Sequence, residues 1–323
     1  MIKIPTMLYY LSRIKRGNME SLVNFALQEK YAKVKKLRSR LENMGKIIDW
    51  NKFIELFPER ESTVGRPNYE KILMLKMMFV QGWYGLSDEE LEFQVNDRLS
   101  FQQFLDFPNF IPDYSTIWRF REELAEENLT DKIWDELQRQ IKEKNISVEK
   151  GVIQDAVFII AEPGKTRSGM DERGQAAKTS RSRDGSWTKK GKKSFFGFKA
   201  HTKMRRGSKI IESLAVTTAR VPDNKIDLAE PGDIVYRDKG YTGTKTKAKG
   251  DGTMKRGKLT PHEKFRNYRI QKLRCQGEHP YATIKRSMHG GQTRLTTVSR
   301  VFVQQLFVFA AYNLFRLTSL MKI

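Results

Sequence analysis

Val152-Ile153-Gln154-Asp155-Ala156-Val157-Phe158-Ile159-Ile160 is the stretch on which the reading of the fold turns. It is rich in β-branched residues and short, which predicts a buried strand. Before about residue 150 apolar residues recur at three- and four-residue steps instead, so this stretch marks a change of period. One carboxylate, Asp155, interrupts it, and a charge on a buried strand is costly unless it is paired or binds a metal ion.

Upstream the sequence predicts helices. Leu22, Phe25, Ala26, Val34, Leu37 and Leu41 predict a helix within residues 20–60, with the basic run Lys33–Arg40 on its solvated side. Gly65-Arg66-Pro67 breaks the pattern, and Tyr69–Trp83 follows as an apolar helix. Ser87-Asp88-Glu89-Glu90 has the pattern of a capping box. Pro112-Asp113-Tyr114-Ser115 opens another helix, which continues through Trp118, Arg119, Phe120 and Arg121. Short helices with aromatic and Arg residues early in the last one suit a helix-turn-helix, which makes Arg119 and Arg121 candidate DNA contacts. A helical bundle that only packs or dimerises fits the same pattern equally well.

Downstream, Gly164 to Lys193 is polar and reads as a mobile loop or an extended basic arm. Ser194–Lys203 and Lys209–Thr218 predict two strands joined by a turn at Arg205–Ser208, and Asp233–Arg237 a further short strand. Helices return at Pro261–Gln276, Glu278–Met288 and Ser299–Leu320. The division expected is a helical domain over 1–147 and an α/β domain over 148–323.

Charge follows the same division. The 323 residues carry a formal net charge of +22. Residues 1–150 hold 24 Lys and Arg against 24 Asp and Glu, whereas residues 151–323 hold 36 against 14. A surplus of that size calls for a polyanion, and nucleic acid is the usual one, although ribosomal proteins and binders of acidic membranes share the signature. Cys275 is the single cysteine, which excludes an intrachain disulfide framework and fits a reducing interior. The first residues lack the pattern of a signal peptide. Val301–Leu317 is strongly apolar, but Gln304, Gln305, Asn313 and Arg316 interrupt it, so a buried core helix is expected there and no membrane span.

Fourteen acids in a basic half form a short search list. Asp155 is the first candidate. Asp238 is the second, directly after the strand Asp233-Ile234-Val235-Tyr236-Arg237, because sites gather at strand ends in open α/β sheets. For either alone, a salt bridge to a nearby Arg or Lys is the simpler reading. Glu278 is the third, with Arg274 four residues before it and Lys285 seven after, all on one face of a continuous helix. Gly277 and Pro280 predict that the helix restarts near Glu278 and leave Arg274 in the preceding turn. A surface ion-pair ladder would give the same spacing.

These residues resemble a known family. Asp155, Asp238 within Tyr236-Arg237-Asp238-Lys239-Gly240-Tyr241, and Arg274-x3-Glu278-x6-Lys285 resemble the bacterial and archaeal insertion-sequence transposases of the family numbered five, in the DDE, ribonuclease H-like superfamily. Gly65-Arg66-Pro67, Trp83-Tyr84-Gly85-Leu86-Ser87, Pro112-Asp113-Tyr114-Ser115-Thr116, Phe196-Gly197-Phe198-Lys199-Ala200-His201 and Thr217-Thr218-Ala219 extend the resemblance over nearly the whole chain. It implies an α/β fold in which a ribonuclease H-like catalytic domain follows an all-helical DNA-binding domain. Asp155 would lie on the first strand, Asp238 at the end of the fourth, and Glu278 on a helix beside them. These three would be catalytic and would hold Mg²⁺, with Mn²⁺ as an alternative, since hard cations take oxygen ligands. Arg274 and Lys285 would contact phosphates, and Lys239 and His201 have no defined role. The partners implied are double-stranded DNA, as terminal inverted repeats and target, and a second copy of the chain at paired ends, in the cytoplasm at the nucleoid. Related families place a Tyr three residues before the Arg; Gln271 stands there, so that contact is not carried over.

Two rival functions share the charge. A non-catalytic nucleic-acid binder leaves Asp155 in its apolar strand unexplained, and metal-dependent cleavage separates it from a transposase. A ribonuclease H-like nuclease would cut DNA without joining ends to a target.

Overall fold

The computed structural model describes residues 29–30, 32–33, 40–58, 69–144, 146, 150–164 and 184–321. The breaker at Gly65–Pro67, most of the basic run at 33–40, the expected domain boundary at 147/148 and residues 165–183 of the polar stretch lie outside the described residues.

The first half is helical. α1 (Arg40–Ile47) is followed by a 3₁₀ turn at Trp50–Leu56 rather than by one continuous helix. Asp49 causes the break: its side chain accepts from the Asn51 N–H and starts the new turn. α2 (Lys71–Tyr84) fills the expected apolar segment and ends at Gly85, whose φ of 63° is left-handed. α3 (Asp88–Asp97) is capped by Ser87, which accepts from the Glu90 N–H at 3.2 Å. The predicted box is only half made, because the Glu90 carboxylate accepts from Gln94 instead. After α4 (Leu99–Phe104), α5 (Tyr114–Glu126) starts where Asp113 accepts from the Thr116 N–H at 2.7 Å, and α6 (Leu129–Glu143) closes this half.

The second half is built on a sheet: β1 (Val152–Ala161), β2 (Ser186–Lys190), β3 (Lys193–Arg205), β4 (Ile211–Thr218), β5 (Ile234–Arg237), β6 (Gly250–Thr253) and β7 (Gln292–Thr293). Its main body runs β4-β3-β1-β5-β6. The β4, β3 and β1 strands are antiparallel, and β5 and β6 run parallel to β1. This mixed sheet order is consistent with a ribonuclease H-like fold. The expected loop is shorter than its polarity suggests, since Ser186–Lys190 pairs with the start of β3. β3 comes close to β1 there because Gly197 adopts φ 142°, where a Cβ would stand 2.2 Å from the Ile159 carbonyl oxygen. Asp238 thus follows the fifth strand in chain order and the fourth of the main body. Helices α7 (Pro261–Arg274), α8 (Glu278–Ser287) and α9 (Val298–Leu320) complete the fold, with a short 3₁₀ turn at Cys275–Gly277 where the helix restarts.

The two halves share one hydrophobic core. α9 is the reason. It packs on α2 so closely that a Cβ on Gly82 would come within 2.6 Å of the Phe307 backbone. Asn313 explains the polar interruption of this helix, since its amide accepts from the Ile211 N–H at 2.9 Å and donates to the Ile211 carbonyl at 2.7 Å. α9 is the helix long and apolar enough to cross a membrane among the described residues, and 67% of its most apolar window is buried within the protein. It is a core helix, as its sequence implies. The core therefore runs across the boundary drawn from the sequence, and α6 adds polar ties, with Trp134 and Gln138 donating to the carbonyls of Glu212 and Ile211.

Candidate active site

β1 is the central strand, and Asp155 lies in its middle, opposite Thr202 of β3. Its carboxylate is partly buried, with 22% of the side chain exposed, and Oδ2 accepts from an Arg274 Nη at 3.0 Å. Burial raises its pKa above the usual carboxylate value, and the charges of Asp238 and Asp223 add to this; Arg274 and the Ala156 N–H oppose it. The sequence expected Arg274 to contact phosphate. The structure places it at the end of α7 against Asp155 instead.

Asp238 is brought to Asp155 by a buried network under the sheet. Arg237, with no exposed surface, donates through Nε to the Gln154 amide oxygen at 3.0 Å and also pairs with Asp227. Gln154 donates in turn to the Ile226 carbonyl at 2.7 Å. The network clamps the end of β5 to β1, so the next residue, Asp238, falls beside Asp155. The Asp238 carboxylate accepts from the Gly240 N–H at 2.7 Å and starts a 3₁₀ turn at Lys239–Tyr241. A side chain at 240 would meet Asp238 Oδ1 at 2.9 Å and Asp223 Oδ2 at 3.4 Å, so glycine leaves room for two carboxylates. Lys239 is exposed.

Asp223 is the acid that sequence reasoning passed over. It lies in the turn after β4, and Lys199 Nζ donates to it and to the Val221 carbonyl, each at 2.9 Å. Its signal was available: an acid in Pro222-Asp223-Asn224, four residues past the quoted Thr217-Thr218-Ala219 string. His201 is wholly buried, with Nε2 2.9 Å from the Thr217 hydroxyl. Burial pushes its pKa down to about 4, with Lys199 helping and Asp223 opposing. It is a neutral interior ring, which answers the question the sequence left open.

Glu278 is the first residue of α8 and is exposed. Its neighbour Gly277 packs on β1, where a Cβ would lie 3.2 Å from Ile153, two residues before Asp155. Glu278 thus starts its helix beside the strand that bears Asp155, as expected, but its carboxylate does not join the pair. Among the described residues no three His, Cys, Asp or Glu form a group that could hold a metal ion. Lys285 is exposed on the same helix. Arg119 is exposed on α5, whereas Arg121 is buried and its guanidinium pairs with Asp88. Arg121 ties α5 to α3 and is not placed to meet DNA, because its donors point into the fold.

An acid on a central strand, a second acid at the end of the parallel neighbour and a sheet of this order are consistent with a ribonuclease H-like fold. Residues 148–314 match the family described as "Transposase DDE domain", and residues 28–123 match "Transposase domain (DUF772)". No solved structure matches the chain. The chain belongs to the DDE transposases: it is a DNA transposase, an enzyme of DNA strand cleavage and strand transfer that works with a divalent cation. Asp155 and Asp238 suit such a cation, because both offer hard oxygens, and the Asp155 pKa is raised by burial first and by the neighbouring acids Asp238 and Asp223 after it. The buried Tyr241 hydroxyl, which has no hydrogen-bond partner among the described residues, feels the Asp155 charge most among its charged neighbours.

Proposed function

We propose that this transposase holds Mg²⁺ through Asp155, Asp238 and Glu278, and that it acts as a homodimer on paired terminal inverted repeats before joining them to target DNA. The observation that carries the assignment is the Asp155–Asp238 pair, built by the Gln154–Arg237 clamp on the central strand. Asp155, Asp238 and Glu278 would hold the ion, which when bound would supply activation of the attacking hydroxyl and charge stabilisation of the leaving oxygen. Arg274, held on the Asp155 carboxylate at 3.0 Å, would be free to contact a DNA phosphate if a cation took that carboxylate. Lys285, one face of α8 along from Glu278, supports a second phosphate. Lys239, exposed beside Asp238, extends that positive rim. Work on chromosomal DNA implies a cytoplasmic, nucleoid-associated protein.

The test is cleavage of a short duplex containing a transposon end, in Mg²⁺ and in Mn²⁺. Asp155→Asn, Asp238→Asn and Glu278→Gln are each expected to remove cleavage while end binding in EDTA persists. A variant that still cuts near the normal rate removes that residue from the metal set. If none of the three matters, the metal site lies elsewhere.

A further inference from the structure

α7 has two faces of opposite character. Inward, Asn267 and Ile270 are buried and Arg274 reaches Asp155. Outward, Phe265 and Tyr268 are 59% and 53% exposed. They are three residues apart on a helix, so their side chains are neighbours about 5–6 Å apart. Lys264, Arg269 and Lys272 are exposed around them, and Lys272 Nζ lies 4.7 Å from the centre of the Tyr268 ring. Among the described residues no carboxylate pairs with Lys264, Arg269 or Lys272. The loop before the helix adds Arg256 and Lys258, both exposed. Asn267 fixes that loop to the helix through two 2.9 Å hydrogen bonds with the Lys255 backbone. Glu263, the acid nearest this face, is already paired with Lys255 and caps the helix through Thr260.

Two exposed rings set among unpaired cations suit one kind of occupant. A second copy of the same face is repelled by its charge, and an acidic protein surface would leave the rings without stacking partners. A duplex offers phosphates to the cations, but its bases are already stacked and turn no face to the rings. An unpaired strand offers both phosphates and free base faces. We propose that the outward face of α7 binds unpaired nucleotides of the DNA strand adjoining the cleavage site, with Phe265 and Tyr268 stacking on bases and Lys264, Arg269 and Lys272 holding phosphates. At about 1.5 Å of rise per residue, Tyr268 and Phe265 lie about 9 and 14 Å along the axis from Arg274, on the other side of the helix. That distance corresponds to roughly three to four nucleotides of a stacked strand. The strand rounds the last turn of α7, where Lys272 lies.

The experiment uses the full chain in EDTA, so nothing is cut and the outcome is independent of which acids hold the metal. Fluorescence anisotropy measures binding to a labelled oligothymidylate of about 12 nucleotides and to a duplex of unrelated sequence. The double variant Phe265→Ala/Tyr268→Ala is expected to bind the oligothymidylate roughly 10- to 100-fold more weakly and the duplex within about twofold of the parent. Tyr268→Phe keeps the ring and is expected to bind the oligothymidylate as the parent does. Equal losses on both DNAs, or no loss on either, overturn the proposal. So does a Tyr268→Phe protein as weak as the double variant. A double variant that sediments as a smaller species with unchanged oligothymidylate binding also overturns it, because the face is then an interface between copies.

Discussion

The helical half and the sheet half handle charge in opposite ways. In the helical half acids and bases balance, and its less exposed cations are matched across helices: Arg121 with Asp88, Lys71 with Glu123, Lys76 with Asp106. The sheet half also matches its buried cations, Lys199 with Asp223, Lys203 with Glu230 and Asp233, and Arg237 with Asp227. It has only 14 acids for 36 bases, however, so these interior pairs use much of its negative charge. The surplus is left on the surface, and of the acids at the site Asp155 has Arg274 as its ion-pair partner. The difference teaches that net charge is set by what remains after the interior is paired. The half that must receive DNA is the one in which that remainder is large.

The largest expected effect tests the sheet half. Asp155→Ala should lower metal-dependent strand cleavage by at least about a thousandfold, since the ion contributes several kcal/mol to the transition state. A near-normal rate on an end-containing duplex would make Asp155 one more structural acid, like those of the helical half. Next comes Arg121→Ala, which leaves Asp88 without its buried partner and should cost about 3 kcal/mol in urea unfolding. Unchanged stability together with weaker DNA binding would return Arg121 to the DNA-facing role and blur the contrast.

His201 adds a pH test. It titrates at about 4 in the fold because of burial and near 6.5 when unfolded, with Asp223 and Lys199 as the charged groups beside it. Between those values the unfolded chain binds more protons. Stability contributed by the neutral ring is therefore complete above about pH 6.5 and declines as pH falls to about 4, by up to about 3 kcal/mol. His201→Gln should flatten that slope between pH 4 and 6.5; an unchanged slope assigns it to other groups. Gly82→Ala puts a methyl against the Phe307 backbone and should cost about 2 kcal/mol, with helical and sheet signals melting together. Two separate transitions would show that the halves are independent after all. The smallest effect belongs to Arg119→Ala, where an exposed side chain should change unfolding free energy by less than about 0.5 kcal/mol.

Much of the fold was legible because its signals are local. Asp113 accepts from the N–H three residues on, and the short β-branched run of 152–160 needs no partner to be read. The helix restart at Glu278 follows from Gly277 and Pro280 alone. The strand at Ser186–Lys190 was hidden because its polar residues form a strand only against β3. Arg119 and Arg121 look alike in sequence, and only the position of Asp88 sends one inward. The acids divide the same way: Asp155 announced itself by its apolar neighbours, whereas Asp223 is adjacent to the site through a turn that sequence spacing does not reveal.

By itself the sequence determined the helical-then-sheet order of the two halves, the basic character of the second half and the anomaly of a carboxylate, Asp155, inside an apolar strand. Those depend on hydrophobic period, capping and composition, which act between residues close along the chain. Only the tertiary structure decided that α9 unites both halves in one core, that Arg274 faces Asp155, and that Phe265 and Tyr268 are left facing outward. Each of these is a choice among partners distant in sequence, made by close packing and by the cost of leaving a buried charge unpaired.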